Sequence, residues 1–132
     1  MTVVVDASAV VAALADSGPD GEWAEEILGS GFLAAPHLLP VEAANILRRA
    51  ALAGEISTDA AALAHGDLLS LRIELFPYEP FAPRVWELRE NLTAYDAWYV
   101  ALAEALDAPL ATFDTRLIAA SGPRCEIRTA PG

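Results

Sequence analysis

Lysine is absent from this 132-residue chain, and its eight basic side chains are all arginine. Chemistry that relies on a lysine, either to grip a phosphate as a point charge or to form a Schiff base, is therefore excluded. Cysteine is nearly absent as well. Cys125 stands alone, so it can form neither an internal disulfide nor a cysteine-based zinc site, and it fits a reducing compartment as an ordinary structural thiol. The two histidines, His37 and His65, lie far apart with no partner at metal-ligand spacing, which makes them ordinary polar positions. Charged residues interrupt every apolar run well short of the ~18 residues that suggest a membrane span. Met1 leads directly into an apolar stretch and Asp6 with no basic segment before it, so no secretory signal is expected and the expected location is the cytoplasm.

Hydrophobic residues make up 55% of the chain, enough for one compact domain over residues 1–132 to bury a core without disulfide or metal staples. No internal repeat, low-complexity tract or long linker divides it. Acids are in excess, 19 against 8 basic residues, for a net charge of −11. That balance opposes nonspecific attraction to a polyanion. It suits docking of a basic protein segment and the holding of hard cations equally well.

Short apolar runs alternate with longer amphipathic stretches, the sequence form of βαβ units, and predict an α/β fold with a mostly parallel five-stranded sheet flanked by helices. Strands are expected near residues 2–5, 32–35, 73–77, 110–113 and 126–128. Helices are expected over 8–15, 22–28, 41–53, 82–90 and 95–106, with another running from a Ser57 or Thr58 cap to about residue 71. Gly54 suits the end of the third of these, and Pro109 bars further helix before the fourth strand.

Four acids fall at element boundaries. Asp6 follows the run VVV and Asp114 follows LATF, so both should leave the carboxyl ends of buried strands, the edge at which open α/β sheets bind ligands. Glu42 opens a helix two residues after Pro40, where a carboxylate meets the positive end of the dipole. Asp96 lies three residues after Thr93, in the pattern of a capping box. Each has an ordinary reading as a cap taken singly. Their common placement at positions able to converge on one rim is what caps alone do not explain.

The segments VVVDASAVVAAL, LLPVEAANILRR, TAYDAWYVALAEAL and LATFDTRL resemble, in order and spacing, the four acidic motifs of PIN-domain nucleases of the VapC type. The most specific portion is YDAWYVALA from Tyr95 to Ala103, followed by TFD ending at Asp114; Glu42 with Asn45 and Arg48 adds to it. Residues 54–91 carry amphipathic helix but no motif. The resemblance implies a Mg²⁺-dependent ribonuclease, with Mn²⁺ an alternative ion, acting as the toxin of a toxin–antitoxin pair. It assigns Asp6 and Asp96 as metal ligands, with Asp114 completing the cluster directly or through water. Glu42 either ligates a second ion or orients the attacking water. Ser8, Asn45 and Thr112 would support them, although each can equally satisfy nearby backbone, the reading favoured for Thr112. A VapB-like antitoxin and a homodimeric state are also implied.

Hard divalent ions prefer oxygen ligands, and such an ion relieves the repulsion among clustered carboxylates. Trp23, Trp86 and Trp98 lie on amphipathic stretches and read as core or interface rather than as platforms for bases. Arg48, Arg49 and Arg116 offer phosphate contacts, with ion pairing the simpler account of each. A phosphoacceptor domain would also place an aspartate after its first strand, but it needs a lysine that this chain lacks. A non-catalytic acidic module for a basic peptide, and a PIN nuclease of RNA processing rather than a toxin, remain as alternative readings.

Overall fold

The computed structural model describes residues 1–131. In chain order it runs β1 (Thr2–Val5), α1 (Ala7–Ala15), α2 (Pro19–Leu28), β2 (Phe32–Pro36), α3 (Leu39–Leu52), α4 (Thr58–Ser70) and β3 (Ile73–Phe76). A 3₁₀ turn (Glu79–Phe81) then leads into α5 (Ala82–Glu87), α6 (Ala94–Ala105), β4 (Leu110–Ala111), α7 (Arg116–Ala119) and β5 (Ile127–Arg128). The five strands form one sheet in the order β3-β2-β1-β4-β5, and each of the four neighbouring pairs is parallel. The α/β expectation holds, and the sheet is parallel throughout.

That strand order places β1 in the centre, with successive strands laid outward to one side and then, after the crossover to β4, to the other. A crevice therefore opens between the carboxyl ends of β1 and β4, where the direction of winding reverses. Val3, Val4 and Val5 are fully buried, as are Leu110 and Ala111 opposite them. Burying such a side chain contributes about 1.5–3 kcal/mol, so the two strands flanking the crevice are its most firmly held parts.

Helix α6 explains how one helix can cross the centre of the molecule. Its residues Ala97, Tyr99, Val100, Ala101, Leu102 and Ala103 are all buried, and it packs against β1, β2 and β4, as a helix apolar on most sides must. Helix α1 is held by α2, α3 and α4. At the junction of α1 and α2 the backbones approach so closely that a Cβ on Gly21 would lie 1.7 Å from the Asp16 carbonyl oxygen, so only glycine fits there. Helix α3 ends as Gly54 suggested: it takes φ +76, and the N–H groups of Gly54 and Glu55 return to the Ala51 and Ala50 carbonyls at 3.1 and 2.9 Å, the paired bonds of a Schellman ending.

Several boundaries differ from expectation. The strands expected over 110–113 and 126–128 are reduced to two residues each, because the chain turns away after Ala111 to form the crevice wall. The third strand stops at Phe76, before Pro77. The helix expected over 82–90 ends at Glu87, and α2 begins at Pro19, proline suiting a first turn whose N–H groups are unpaired in any case. Ser57 rather than Thr58 caps α4, accepting from the Ala60 N–H. Of the tryptophans, Trp23 and Trp98 pack on the core, whereas Trp86 is 66% exposed with Arg89 over its ring.

Candidate active site

Asp6, Glu42, Asp96 and Asp114 line a single cavity of about 390 Å³ at the crevice between β1 and β4. Each arrives from a different element: Asp6 from the end of β1, Glu42 from the first turn of α3, Asp96 from the first turn of α6, and Asp114 from the loop after β4. A larger groove of about 690 Å³ lies near the amino ends of β1, β2 and β3. Its lining is mainly apolar and presents no convergent acids, so the four acids singled out in the sequence meet in the smaller cavity.

Asp6 is the most elaborately held of the four. As the cap of α1 it accepts from the Ala9 N–H at 3.0 Å. Ser8 Oγ donates to the same oxygen, Oδ1, at 2.6 Å, and the fully buried Thr112 donates to Oδ2. Both hydroxyls in turn accept from the loop after β4: Ser8 from the Phe113 N–H at 3.1 Å, and Thr112 from the Asp114 N–H at 2.9 Å. A hydroxyl can accept and donate at once, so two relays fix Asp6 to the backbone that carries Asp114. Thr112 thus does more than satisfy nearby backbone, the role favoured for it from sequence.

The helical acids are held differently. Thr93 caps α6 by accepting from the Asp96 N–H at 3.2 Å, which leaves the Asp96 carboxylate directed to the cavity that it lines. Glu42 Oε1 accepts from the Tyr99 hydroxyl at 2.6 Å. Tyr99 was not singled out in the sequence. Its spacing of three residues from Asp96 on one helical face was the available signal. Asn45 is exposed at the cavity, which Arg49 also lines. His37 and His65 are exposed and line no part of it.

Electrostatics mark the cavity as short of positive charge. Burial pushes the Asp6 carboxyl above its ordinary value, with the hydrogen bonds from Ser8, Thr112 and Ala9 opposing and Asp96 adding to the rise. Burial also raises Glu42, against the Tyr99 hydrogen bond and with help from Asp6 and Asp96. Asp96 is raised by burial and then by Asp114, with Arg116 opposing. Asp114 alone is lowered, because Arg116 hydrogen-bonds to it. The donor set is carboxylate and hydroxyl oxygen without thiolate or imidazole, which fits a hard divalent cation. Among the described residues no three acids already stand close enough together to enclose a bare ion.

Comparison with known proteins identifies the family and the fold. The family model described as PIN domain matches residues 3–123. The chain is 48% identical over 126 residues to Ribonuclease VapC1 of Mycobacterium tuberculosis, covering 95% of each sequence. Among solved structures it resembles PAE2754 of Pyrobaculum aerophilum, with a TM-score of 0.71 and 27% identity over 98% of this chain and 84% of the other. It shares its fold with VapBC-5 of M. tuberculosis, a member of the VapBC family of toxin–antitoxin systems, with a TM-score of 0.59 and 23% identity over 99% and 98%.

Proposed function

This chain belongs to the PIN-domain family and is a ribonuclease of the VapC kind, and we propose that Asp6, Glu42, Asp96 and Asp114 are the groups with which it hydrolyses RNA phosphodiester bonds. The observation that carries this reading is the convergence of four carboxylates from four elements on one cavity at the switch point of the sheet. Asp6 and Asp96 are the direct ligands of a Mg²⁺ or Mn²⁺ ion, and Asp114 completes the set directly or through water. When bound, the ion supplies polarisation of a phosphodiester oxygen, activation of water and stabilisation of the leaving oxygen.

The chain's own residues do the positioning. Ser8 and Thr112 orient both oxygens of Asp6, which would hold that carboxylate ready to serve as a ligand of the ion. Tyr99 holds one oxygen of Glu42 and leaves the other free to accept a proton from, or orient, the attacking water. Asn45 and Arg49 at the cavity edge contact the RNA backbone. No covalent intermediate on the protein is involved.

The biological role is that of a toxin restrained by a VapB-like antitoxin. The family named by the relatives and the VapBC-5 fold support this, as does an acidic surface suited to a basic protein segment. It acts in the cytoplasm, where RNA is available; no helix among the described residues is long and apolar enough to cross a membrane. A homodimer is its working state, favoured by exposed apolar residues such as Leu52, Leu63 and Leu69.

The test incubates purified protein with total RNA and Mg²⁺ or Mn²⁺, beside Asp6→Asn and Asp96→Asn. Loss of cleavage in both variants, with folding retained, supports the assignment. Equal cleavage by wild type and variants would reveal a contaminant, and tight binding of a basic peptide without any cleavage would favour a non-catalytic acidic module.

A further inference from the structure

We infer that Arg116 is an exchangeable counter-ion: it occupies Asp114 while the site lacks a divalent cation, yields that carboxylate when the cation binds, and then engages a phosphate of the RNA. This rests on the function proposed above and adds to it a competition between a side chain and the metal.

The competition follows from counting acceptor directions. A carboxylate offers about four. Asp114 Oδ1 accepts from the Arg116 backbone N–H at 3.0 Å and from Nε at 2.9 Å, while Oδ2 accepts from Nη2 at 2.7 Å. One direction remains, on Oδ2 and beside a fixed positive charge. A divalent ion approaching it meets repulsion from the guanidinium together with attraction from the carboxylate. Asp96 feels the same arginine through space, so this side chain is the positive charge that the ion must displace.

Release of the guanidinium disturbs little. The Arg116 side chain is 84% exposed, and among the described residues its guanidinium has no other hydrogen-bond partner. The backbone N–H bond to Asp114 belongs to the turn and can persist without it. Arg84 provides the contrast. Its side chain is 21% exposed, and it binds Glu104, Glu87 and the Gly122 carbonyl together, so it has no freedom to exchange.

The freed group matches the next need. A planar guanidinium pairs with phosphate through two parallel N–H bonds. With no lysine and a net charge of −11, the chain has few cations with which to attract RNA. Arg116 lines the cavity, so its release would make positive charge available there only after the ion has neutralised the acids. Phosphate recognition is thereby linked to metal loading.

The test titrates Mn²⁺ alone into the full chain without RNA, by calorimetry, for wild type, Arg116→Gln, Arg116→Lys and Asp96→Asn. Arg116→Gln should bind Mn²⁺ about threefold to tenfold more tightly than wild type, since a screened competitor has been removed. At saturating Mn²⁺ the same variant should show a roughly tenfold or greater rise in KM for a single-stranded RNA oligonucleotide, the loss of a charged hydrogen bond. Arg116→Lys should fall between the two in both measurements. Unchanged or weaker Mn²⁺ binding by Arg116→Gln at an unchanged melting temperature would overturn the inference, because the arginine would then only hold Asp114 in place. An unchanged KM would overturn the phosphate contact. Equal Mn²⁺ binding by wild type and Asp96→Asn would instead remove the site assignment beneath it.

Discussion

Helix α6 carries two carboxylates in opposite circumstances. Asp96 stands in its first turn, where the helix dipole favours an anion, yet burial and the nearby Asp114 raise its pKa. Glu104 stands in the last turn, where the dipole disfavours an anion. Burial pushes it up too, but the Arg84 guanidinium and the Arg124 N–H outweigh burial and bring it below its ordinary value. Arg84 reaches Glu104 through two bonds of 2.7 and 3.1 Å, and the Arg124 N–H adds a third at 2.7 Å. The acid near the end of α6 is neutralised and joins α5 and the loop before β5 to the helix. The acid at its start shares a cavity with three other acids, and the charge of Arg116 only partly offsets them. The difference separates an acid neutralised by its neighbours from one left among like charges, the arrangement on which the function proposed above relies.

The largest expected effect lies at the unneutralised end. Asp96→Asn should lower RNA cleavage by about 10²-fold or more, the scale of losing a group that stabilises charge in the transition state. In chelator it should melt at or slightly above the wild-type temperature, because a repelling charge has gone. A variant that lost stability along with activity would erase the contrast with Glu104. Smaller, about tenfold, should be the loss in Tyr99→Phe, which keeps the buried ring but removes the hydroxyl that orients Glu42. Full activity in that variant would show that Glu42 needs no orientation.

Stability should respond in the reverse order. Saturating Mg²⁺ should raise the melting temperature of wild type by stabilising the folded state, about 2.7 kcal/mol at a hundredfold excess over Kd, and should raise that of Asp96→Asn much less. Glu104→Gln should leave cleavage per folded molecule unchanged but cost about 1 kcal/mol, since its partners lie partly in solvent and are screened. The same carboxylate gives the pH dependence. A group lowered on folding stabilises the protein above its unfolded pKa, and that contribution disappears as pH falls through the folded value. The gap between wild type and Glu104→Gln in denaturant melts should therefore be open at neutral pH and close in acid. A gap of constant size would show that the clasp acts by packing and not by charge.

Much of this was legible in the residues themselves. Alternating apolar runs and amphipathic stretches marked all five strands, most plainly β1, β2 and β4, which are buried and therefore apolar on both faces. Gly54 marked its helix end because glycine readily takes the positive φ found there, and Pro109 marked the break before β4 because its ring bars further helix. The four acids were identifiable because element boundaries are local and the flanking motifs are distinctive. Beyond reach were contacts between residues far apart in the chain. Thr112 to Asp6 and Tyr99 to Glu42 span 106 and 57 positions, and no local periodicity reports on either.

The sequence alone determined the kinds of element, the four acids at element boundaries and the absence of lysine, since these follow from side-chain identity and short-range spacing. Tertiary structure decided the rest. The order β3-β2-β1-β4-β5 brings the ends of β1 and β4 together, and burial then raises three of the acids while the fourth keeps its arginine. Electrostatic energy depends on distance and on solvent exclusion, and neither exists until the chain has folded.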